Sequence, residues 1–328
     1  MKIAILDDYQ SISQEMADWS ILPAGTQIER FSDHLDNEDQ LVERLQGFQI
    51  VMGMRERTPF PRSLLERLPQ LRLLITTGGR NASFDTVAAT ELGIICSGTG
   101  GQGEGPTELT WGLIIGLLRQ IPQEFQAAKH GIWGSTVGVG LKGKTLGLLG
   151  LGHIGSLVAR VGNAFDMRVI AWSQNLTQER ADECNATLVD KTTLFTESDV
   201  VSIHVRLSDR TLGLVTLQEL NMMKPTSYLI NISRGPIVVE TDLVQALKDG
   251  SIAGAGLDTF DVEPLHKDHP LLTLTNVLST PHIGYVTREG YQAFYSGVVE
   301  NINGYLGGEP IRVINPEVLE SSALRTSL

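Results

Sequence analysis

An α/β fold made of two successive parallel layers is what this sequence predicts, and three observations predict it. The first hundred residues alternate short apolar runs with polar, helix-like stretches. The run Gly147-Leu-Leu-Gly-Leu-Gly-His-Ile-Gly155 stands near the middle of the 328 residues and reads as a buried strand, a glycine turn and the start of a helix. A second series of strand-like runs separated by helical stretches then follows. Strands alternating with helices favour parallel sheets covered by helices.

In chain order, residues 2–6, 26–31, 50–52, 71–75 and 94–95 read as strands, and 39–45 and 62–68 as helices between them. Residues 98–106, with five glycines before Pro106, read as a loop or hinge. A long apolar helix is expected from Thr107 to about Gln120, stopped by Pro122. The second series has strands at 145–149, 168–172, 200–204, 228–231, 253–257 and 277–279, with helices at 154–165, 217–222 and 241–248. A last amphipathic helix runs from Thr287 to about Tyr305, followed by a short polar tail. This helix is expected to return to the first layer. One domain would then be discontinuous, 1–104 with 288–328, and 105–287 would be inserted into it.

Composition narrows the function classes. Hydrophobic residues make up 41% of the chain, enough for two full cores, and the formal net charge is −12 without a Lys/Arg-rich block. That argues against a nucleic-acid partner or an anionic membrane surface. The two cysteines, Cys96 and Cys184, suggest neither a disulfide framework nor a metal site. The N-terminus reads as a strand rather than a signal peptide, and no apolar run is long enough to span a bilayer. A cytoplasmic protein is expected.

The glycine run carries the first chemistry. Gly-x-Gly-x-x-Gly between a strand and a helix is a dinucleotide fingerprint: Gly150 permits the tight turn, Gly152 lets a pyrophosphate approach the backbone, and Gly155 lets the helix pack on the strand. The helix beginning near His153 and Ile154 would present free N–H groups and its positive dipole end to the phosphates. About 20 residues further on, a carboxylate commonly binds the ribose hydroxyls. Here that position is Ser173, in Trp-Ser173-Gln-Asn. Without the acid nothing repels a 2′-phosphate, and without an adjacent Arg nothing demands one, so NAD or NADP is expected with the preference open.

Three polar residues follow successive strands of the second series: Arg234 after 228–231, Glu263 after 253–257 and His282 after 277–279. Singly, each reads as a surface charge or loop residue. Together they stand where ligands of open parallel sheets bind, beyond the carboxyl ends of the strands. Hydride reduction of a carbonyl needs a cation to polarise it and hold a neighbouring carboxylate, which suits Arg, and a proton donor for the developing alkoxide, which suits His. A carboxylate such as Glu263 beside the His stabilises its imidazolium. The leading expectation is an oxidoreductase acting on a small 2-hydroxy or 2-keto acid.

Gly147–Gly155, Asn231–Gly235, Asp258–Pro264 and Pro281-His282-Ile-Gly284, matched in order over nearly the whole chain, are similar to the D-isomer-specific 2-hydroxyacid dehydrogenases, including phosphoglycerate dehydrogenases and glyoxylate/hydroxypyruvate reductases. The resemblance implies two Rossmann-like domains, a doubly wound nucleotide domain inserted into a flavodoxin-like substrate domain, and a homodimer. It implies that Arg234 binds substrate, that Glu263 partners His282, and that His282 is the acid/base. It implies cofactor contacts at Gly150, Gly152, His153, Ile154, Gly155, Ser173, Ser233, Asp258 (on the nicotinamide side) and Gly284. The family's substrate loop corresponds to Gly78-Gly79-Arg80-Asn81, with Gly79, Arg80 and Asn81 as substrate contacts; Arg80 departs from the usual Gly and either adds a cation or points to solvent. Arg55 matches a position where relatives often carry an Arg near the substrate. Arg206 stands where relatives usually have Pro, on the expected adenosine side, where a phosphate contact is conceivable. The resemblance implies no extra regulatory domain in a chain of this length.

Other readings share the scaffold. Some relatives are nucleotide-sensing corepressors that bind partner peptides without catalysis; no groove or long tail for this is evident. Formate-oxidising relatives carry Gln where this chain has Glu263. Phosphite-oxidising relatives keep the acid–base pair.

Overall fold

The computed structural model describes residues 1–101 and 104–325. By their internal contacts they fall into two compact units, Met1–Gln102 with Val286–Leu328, and Gly103–Tyr285.

In the first unit β1 (Lys2–Ile5), β2 (Gln27–Arg30), β3 (Ile50–Gly53), β4 (Leu73–Thr76) and β5 (Ile95–Gly98) form a parallel sheet in the order β2-β1-β3-β4-β5. That order is the flavodoxin-like one, with its switch point between β1 and β3. The helices α1 (Glu38–Leu45), α2 (Arg62–Glu66) and α3 (Thr86–Glu91) connect these strands. β3, β4 and β5 are buried along their whole length, and so read as continuous apolar runs without alternation. Ala4, Val51, Leu74 and Cys96 pack with Leu41, Leu45, Leu64 and Ala88 of the helices. The expected strands are all present, but α3 was not read from the sequence. Its pattern is short, and its start is set by a cap, the Asp85 carboxylate accepting the Ala88 N–H at 2.8 Å.

In the second unit α4 (Glu104–Leu118) and α5 (Ile121–Lys129) precede the sheet. Two expectations are corrected here. Pro122 does not end a helix: it sits in the first turn of α5, where its missing N–H costs nothing. Of the expected loop 98–106, Glu104–Pro106 begin α4, Gly98 ends β5, and Gln102 and Gly103 lie outside the described residues.

The sheet follows: β6 (Thr145–Leu149), α6 (His153–Ala164), β7 (Arg168–Trp172), α7 (Gln178–Glu183), β8 (Thr187–Leu188), α8 (Lys191–Glu197), β9 (Val200–Ile203), α9 (Leu217–Met222), β10 (Tyr228–Asn231), α10 (Glu240–Asp249), β11 (Gly254–Leu257), α11 (Pro270–Thr273) and β12 (Val277–Ser279). Among the described residues the sheet has seven parallel strands in the order β12-β11-β10-β9-β6-β7-β8, where six were expected. The addition is β8, a two-residue edge strand too short to show a pattern. The sheet is doubly wound. Leu146, Leu148 and Val200 pack with Trp111, Ile114 and Val158 on one face, while Leu149, Val201 and Ile203 pack with Phe195, Leu220 and Leu243 on the other.

After Tyr285 the chain belongs to the first unit again, through α12 (Arg288–Leu306). The tail beyond it is more than a polar end: buried Asn315 accepts the Cys96 N–H and donates to the Ile94 carbonyl, fastening the tail to β5.

Candidate active site

One register line crosses the second sheet. Trp172 pairs with Leu149, Leu149 with Ile203, Ile203 with Asn231, Asn231 with Leu257, and Leu257 with Ser279. The next few residues of all six strands therefore emerge side by side: Ser173, Gly150, His204 to Arg206, Ser233 and Arg234, Asp258, and Thr280 to Gly284. Nearly every residue expected to hold cofactor or do chemistry in this unit lies on that edge. Glu263 arrives on the loop after β11.

The glycine turn sits at the switch point, because β6 is flanked by β7 and β9. Gly150 has φ +102°, and a Cβ there would lie 2.9 Å from the His204 backbone. A Cβ on Gly155 would lie 2.3 Å from the Gly150 carbonyl oxygen, so α6 starts against the turn only because that side chain is absent. At Gly152 a Cβ would meet nothing within 4 Å. Its vacancy serves no packing need, which fits close approach by a ligand at the N-terminus of α6. His153 and Ile154 open that helix, and the Gly152 carbonyl accepts the Ser156 N–H at 3.0 Å. These residues fit a dinucleotide's pyrophosphate.

Beside the turn is a cleft of about 250 Å³, lined by Gly150, Gly152, Ser173, Arg206 and Arg210 among others. Arg210 was missed from sequence; only its place in the loop after β9 marks it. Ser233 lies outside this cleft's walls, but its hydroxyl donates to the carbonyl of Val205, which lines it.

Three strands along, the polar residues meet. His282 Nδ1 lies 2.5 Å from Glu263 Oε2, while the other carboxylate oxygen, Oε1, accepts the Phe260 N–H at 2.9 Å. Burial alone raises the Glu263 pKa, but the His282 hydrogen bond and charge, the Phe260 N–H and the nearby Arg234 charge outweigh it, and the group is held below the usual carboxylate range. His282 has φ +51°, in the left-handed region. Asp258 holds that conformation: it accepts from the Thr280 hydroxyl at 2.6 Å, the Ile283 N–H at 2.8 Å and the Gly284 N–H at 2.8 Å. Burial nonetheless raises the Asp258 pKa against those three bonds. The Gly284 amide is thus spent on Asp258, so both residues serve the histidine's turn. Tyr285, also missed from sequence, sets its ring edge-on to His282 at 5.5 Å.

Arg234 follows β10 in extended backbone, and its Nη1 donates to the Ser233 carbonyl at 2.7 Å. Asn231 braces the segment, donating to the Arg234 carbonyl and accepting the Ser233 N–H. A Cβ at Gly235 would lie 2.1 Å from the Phe260 backbone, so the arginine's loop rests directly on the loop that carries Glu263.

In the first unit, Arg55 at the end of β3 has φ +54° and lays its guanidinium over Gly78, where a Cβ would lie 2.0 Å from Nη1. Its Nη1 donates to the Thr77 carbonyl at 3.2 Å, and Asn81 donates to the Arg55 carbonyl at 2.5 Å. Gly79 and Arg80 are exposed, and with Asn81 they line a hollow of about 660 Å³. The structure thus brings Arg55 and Asn81 together and leaves Arg80 at the surface.

The fold, the glycine turn and the ordered strand ends agree with what the chain is similar to. The family model described as "D-isomer specific 2-hydroxyacid dehydrogenase, NAD binding domain" matches residues 111–284. A glyoxylate reductase of Aeropyrum pernix is 38% identical over 268 residues, 78% of this chain and 80% of that protein. The chain belongs to the D-isomer-specific 2-hydroxyacid dehydrogenase family. A hydroxypyruvate reductase of Blautia hydrogenotrophica is 30% identical over 326 residues, 96% of this chain and 100% of that protein. A phosphoglycerate oxidoreductase structure from Vibrio cholerae O395 superimposes with a TM-score of 0.89 at 35% identity, covering 94% of this chain and 99% of that one. This dehydrogenase is therefore an oxidoreductase with an NAD-binding domain. Among its described residues, no helix is long and apolar enough to cross a membrane.

Proposed function

We propose that this dehydrogenase interconverts a small 2-keto acid and its D-2-hydroxy acid, with His282 as acid/base, Glu263 as its partner and Arg234 as the substrate's cation. The observation that carries the reading is the 2.5 Å contact between His282 Nδ1 and Glu263 Oε2. An ionised Glu263 accepts the Nδ1 proton, fixes the ring's tautomer and leaves Nε2 to exchange a proton with substrate oxygen. Reduced nicotinamide, when bound, supplies the hydride to the keto carbon. In that direction His282 gives its Nε2 proton to the developing alkoxide; in oxidation neutral His282 takes the hydroxyl proton. Arg234 polarises the carbonyl and pairs with the carboxylate beside it.

Gly150, Gly152, His153, Ile154 and Gly155 hold the pyrophosphate in this reading, and Ser173 and Arg206 lie on the adenosine side. Ser233, Asp258 and Gly284 shape the nicotinamide side; for the latter two, the observed bonds make the contribution one of positioning. Arg55, Gly79, Arg80 and Asn81 of the first unit bind the substrate's carboxylate, the loop through its backbone N–H groups. The protein works as a homodimer.

The test is a panel of glyoxylate, hydroxypyruvate, pyruvate, phenylpyruvate and 3-phosphohydroxypyruvate with NADH and NADPH, run on wild type and His282→Ala. The variant should lose about 10² to 10⁴ in kcat while still binding dinucleotide. Unchanged turnover would remove His282 from the mechanism.

A further inference from the structure

The cleft beside the glycine turn carries charge of one sign. Arg206 and Arg210 line it from the loop after β9, and Ser173, Gln174 and Asn175 line it from the end of β7. Among its described lining residues there is no carboxylate, although the chain as a whole carries a net charge of −12. His204 lines it too, but burial pushes its pKa down to about 3, so the imidazole is neutral and the positive charge is that of the two guanidiniums.

The loop's backbone is fixed while those side chains are exposed. Thr211 donates its hydroxyl to the Arg206 carbonyl at 2.6 Å and accepts the Ser208 N–H at 2.8 Å. Gln174 donates to the Arg210 carbonyl at 3.5 Å, tying this loop to the turn that holds Ser173. Neither guanidinium is in an ion pair among the described residues. A carboxylate at the Ser173 position would accept from ribose hydroxyls and repel a phosphate on them. The chain instead places a hydroxyl at that point and two fork-shaped cations on the cleft wall, the donor set that suits a phosphate dianion.

We infer that this cleft reads the 2′-phosphate of NADP, with Arg206 and Arg210 as its cations and Ser173 as a hydroxyl donor, so that NADP(H) is the preferred dinucleotide. This rests on the proposed dinucleotide reading of the glycine turn and adds the choice between the two cofactors. Because both guanidiniums are exposed, the selectivity is salt-dependent.

Isothermal titration of the full chain tests it without turnover. At low salt NADPH should bind about tenfold or more tightly than NADH, and 2′,5′-ADP should exceed 5′-AMP by a similar factor, both gaps narrowing as NaCl is added. Arg206→Ala and Arg210→Ala should each lower the NADPH-to-NADH affinity ratio by about five- to tenfold, and Ser173→Asp should invert it. Equal affinities in the wild type, or variants that weaken both dinucleotides alike, would overturn the phosphate reading while leaving the dinucleotide site in place. Binding of neither dinucleotide would overturn both.

Discussion

Glu263 and His282 hold each other: the carboxylate approaches Nδ1 to 2.5 Å, with 26% and 13% of the two side chains exposed. The pair sets opposing forces on Glu263, since burial raises its pKa and the bonds and charge from His282 bring it down below the ordinary value. A depressed carboxylate contributes stability that is fully present above its unfolded value and is lost as pH falls through the folded one. His282→Asn keeps a residue that tolerates positive φ but removes the imidazolium. Glu263 should then titrate upward, as burial outweighs the remaining bonds. Its contribution to the pH dependence of stability would change sign between about pH 3 and 6, favouring the acid side and fading as pH rises. Carbon-13 titration of the Glu263 carboxyl, identified with Glu263→Gln, and urea unfolding across that range would read both effects. An unmoved Glu263 pKa would show that the contact does not control it.

The two glycines on either side of the start of α6 should fail in different ways. A Cβ on Gly155 meets the Gly150 carbonyl oxygen at 2.3 Å, whereas one on Gly152 meets nothing within 4 Å. Gly155→Ala should therefore cost about 1–3 kcal/mol of stability by overpacking. Gly152→Ala, with φ −75° at that position, should leave stability within about 0.5 kcal/mol. Gly152→Ala should instead weaken NADH and NADPH alike by about tenfold or more, because the new methyl occupies the pyrophosphate's approach. Melting curves and dinucleotide titrations of the two variants separate packing from ligand access, and normal binding by Gly152→Ala would remove the phosphate role of that glycine.

Legibility in the sequence followed the size of each signal. The buried strands were plain as apolar runs, since parallel strands covered on both faces need no alternation. The edge strand β8, with two residues, is too short to carry a pattern, and α3 shows no apolar stripe, since it buries only Ala88 and Ala89 and turns Val87 to water. Pro122 reads as a stop but opens α5, because proline's rule depends on position, breaking a helix interior but suiting a first turn. At the site, Arg234, Glu263 and His282 stood out because each follows a strand. The task of Asp258 did not: that its carboxylate accepts three bonds from Thr280, Ile283 and Gly284 depends on a turn geometry with no sequence period. Arg210 and Tyr285 were hidden for the same reason, being loop residues whose meaning lies in what they stand beside.

Asp258 should accordingly behave as a positioning residue. Asp258→Ala would strand two backbone N–H groups and a hydroxyl, at a cost of about 2–4 kcal/mol, and free His282 from its left-handed turn. The expected result is a fall in kcat greater than any rise in KM for the keto acid. Asp258→Asn, which retains one acceptor oxygen, should recover part of the stability and part of kcat together. Full activity in Asp258→Ala would show that the turn holds without it.

Arg55 lies over Gly78, whose φ of +87° disfavours any side chain and where a Cβ would stand 2.0 Å from Nη1 and push the guanidinium aside. If the guanidinium and the loop it covers bind a carboxylate, Arg55→Ala should raise KM for 2-keto acids by about 10- to 100-fold, with dinucleotide affinity unmoved. Arg55→Lys should recover only part of this, since a point charge cannot reproduce the fork. Gly78→Ala, by displacing the guanidinium, should raise KM in the same direction. Steady-state kinetics at saturating cofactor would decide, and an unchanged KM in Arg55→Ala would remove it from substrate binding.

One exposed apolar surface is continuous along the chain. Ile121 and Phe125 of α5 are exposed, as are Ile132, Trp133 and Val137 beyond it, Trp133 at 93%. No residue of α5 is buried, yet the arm after it is held in place: Glu124 accepts from the Ser135 hydroxyl at 2.9 Å and the Thr136 hydroxyl at 2.5 Å. A fixed arm that presents an indole to water is what a protein–protein interface leaves open in one copy, and it supports the proposed homodimer. Trp133→Ser with Phe125→Ser should shift the protein from dimer to monomer by light scattering after gel filtration, and the Trp133 fluorescence of the wild type should move to the red on dilution. A wild type monomeric at micromolar concentration, or a double variant as dimeric as the wild type, would exclude this surface as the interface.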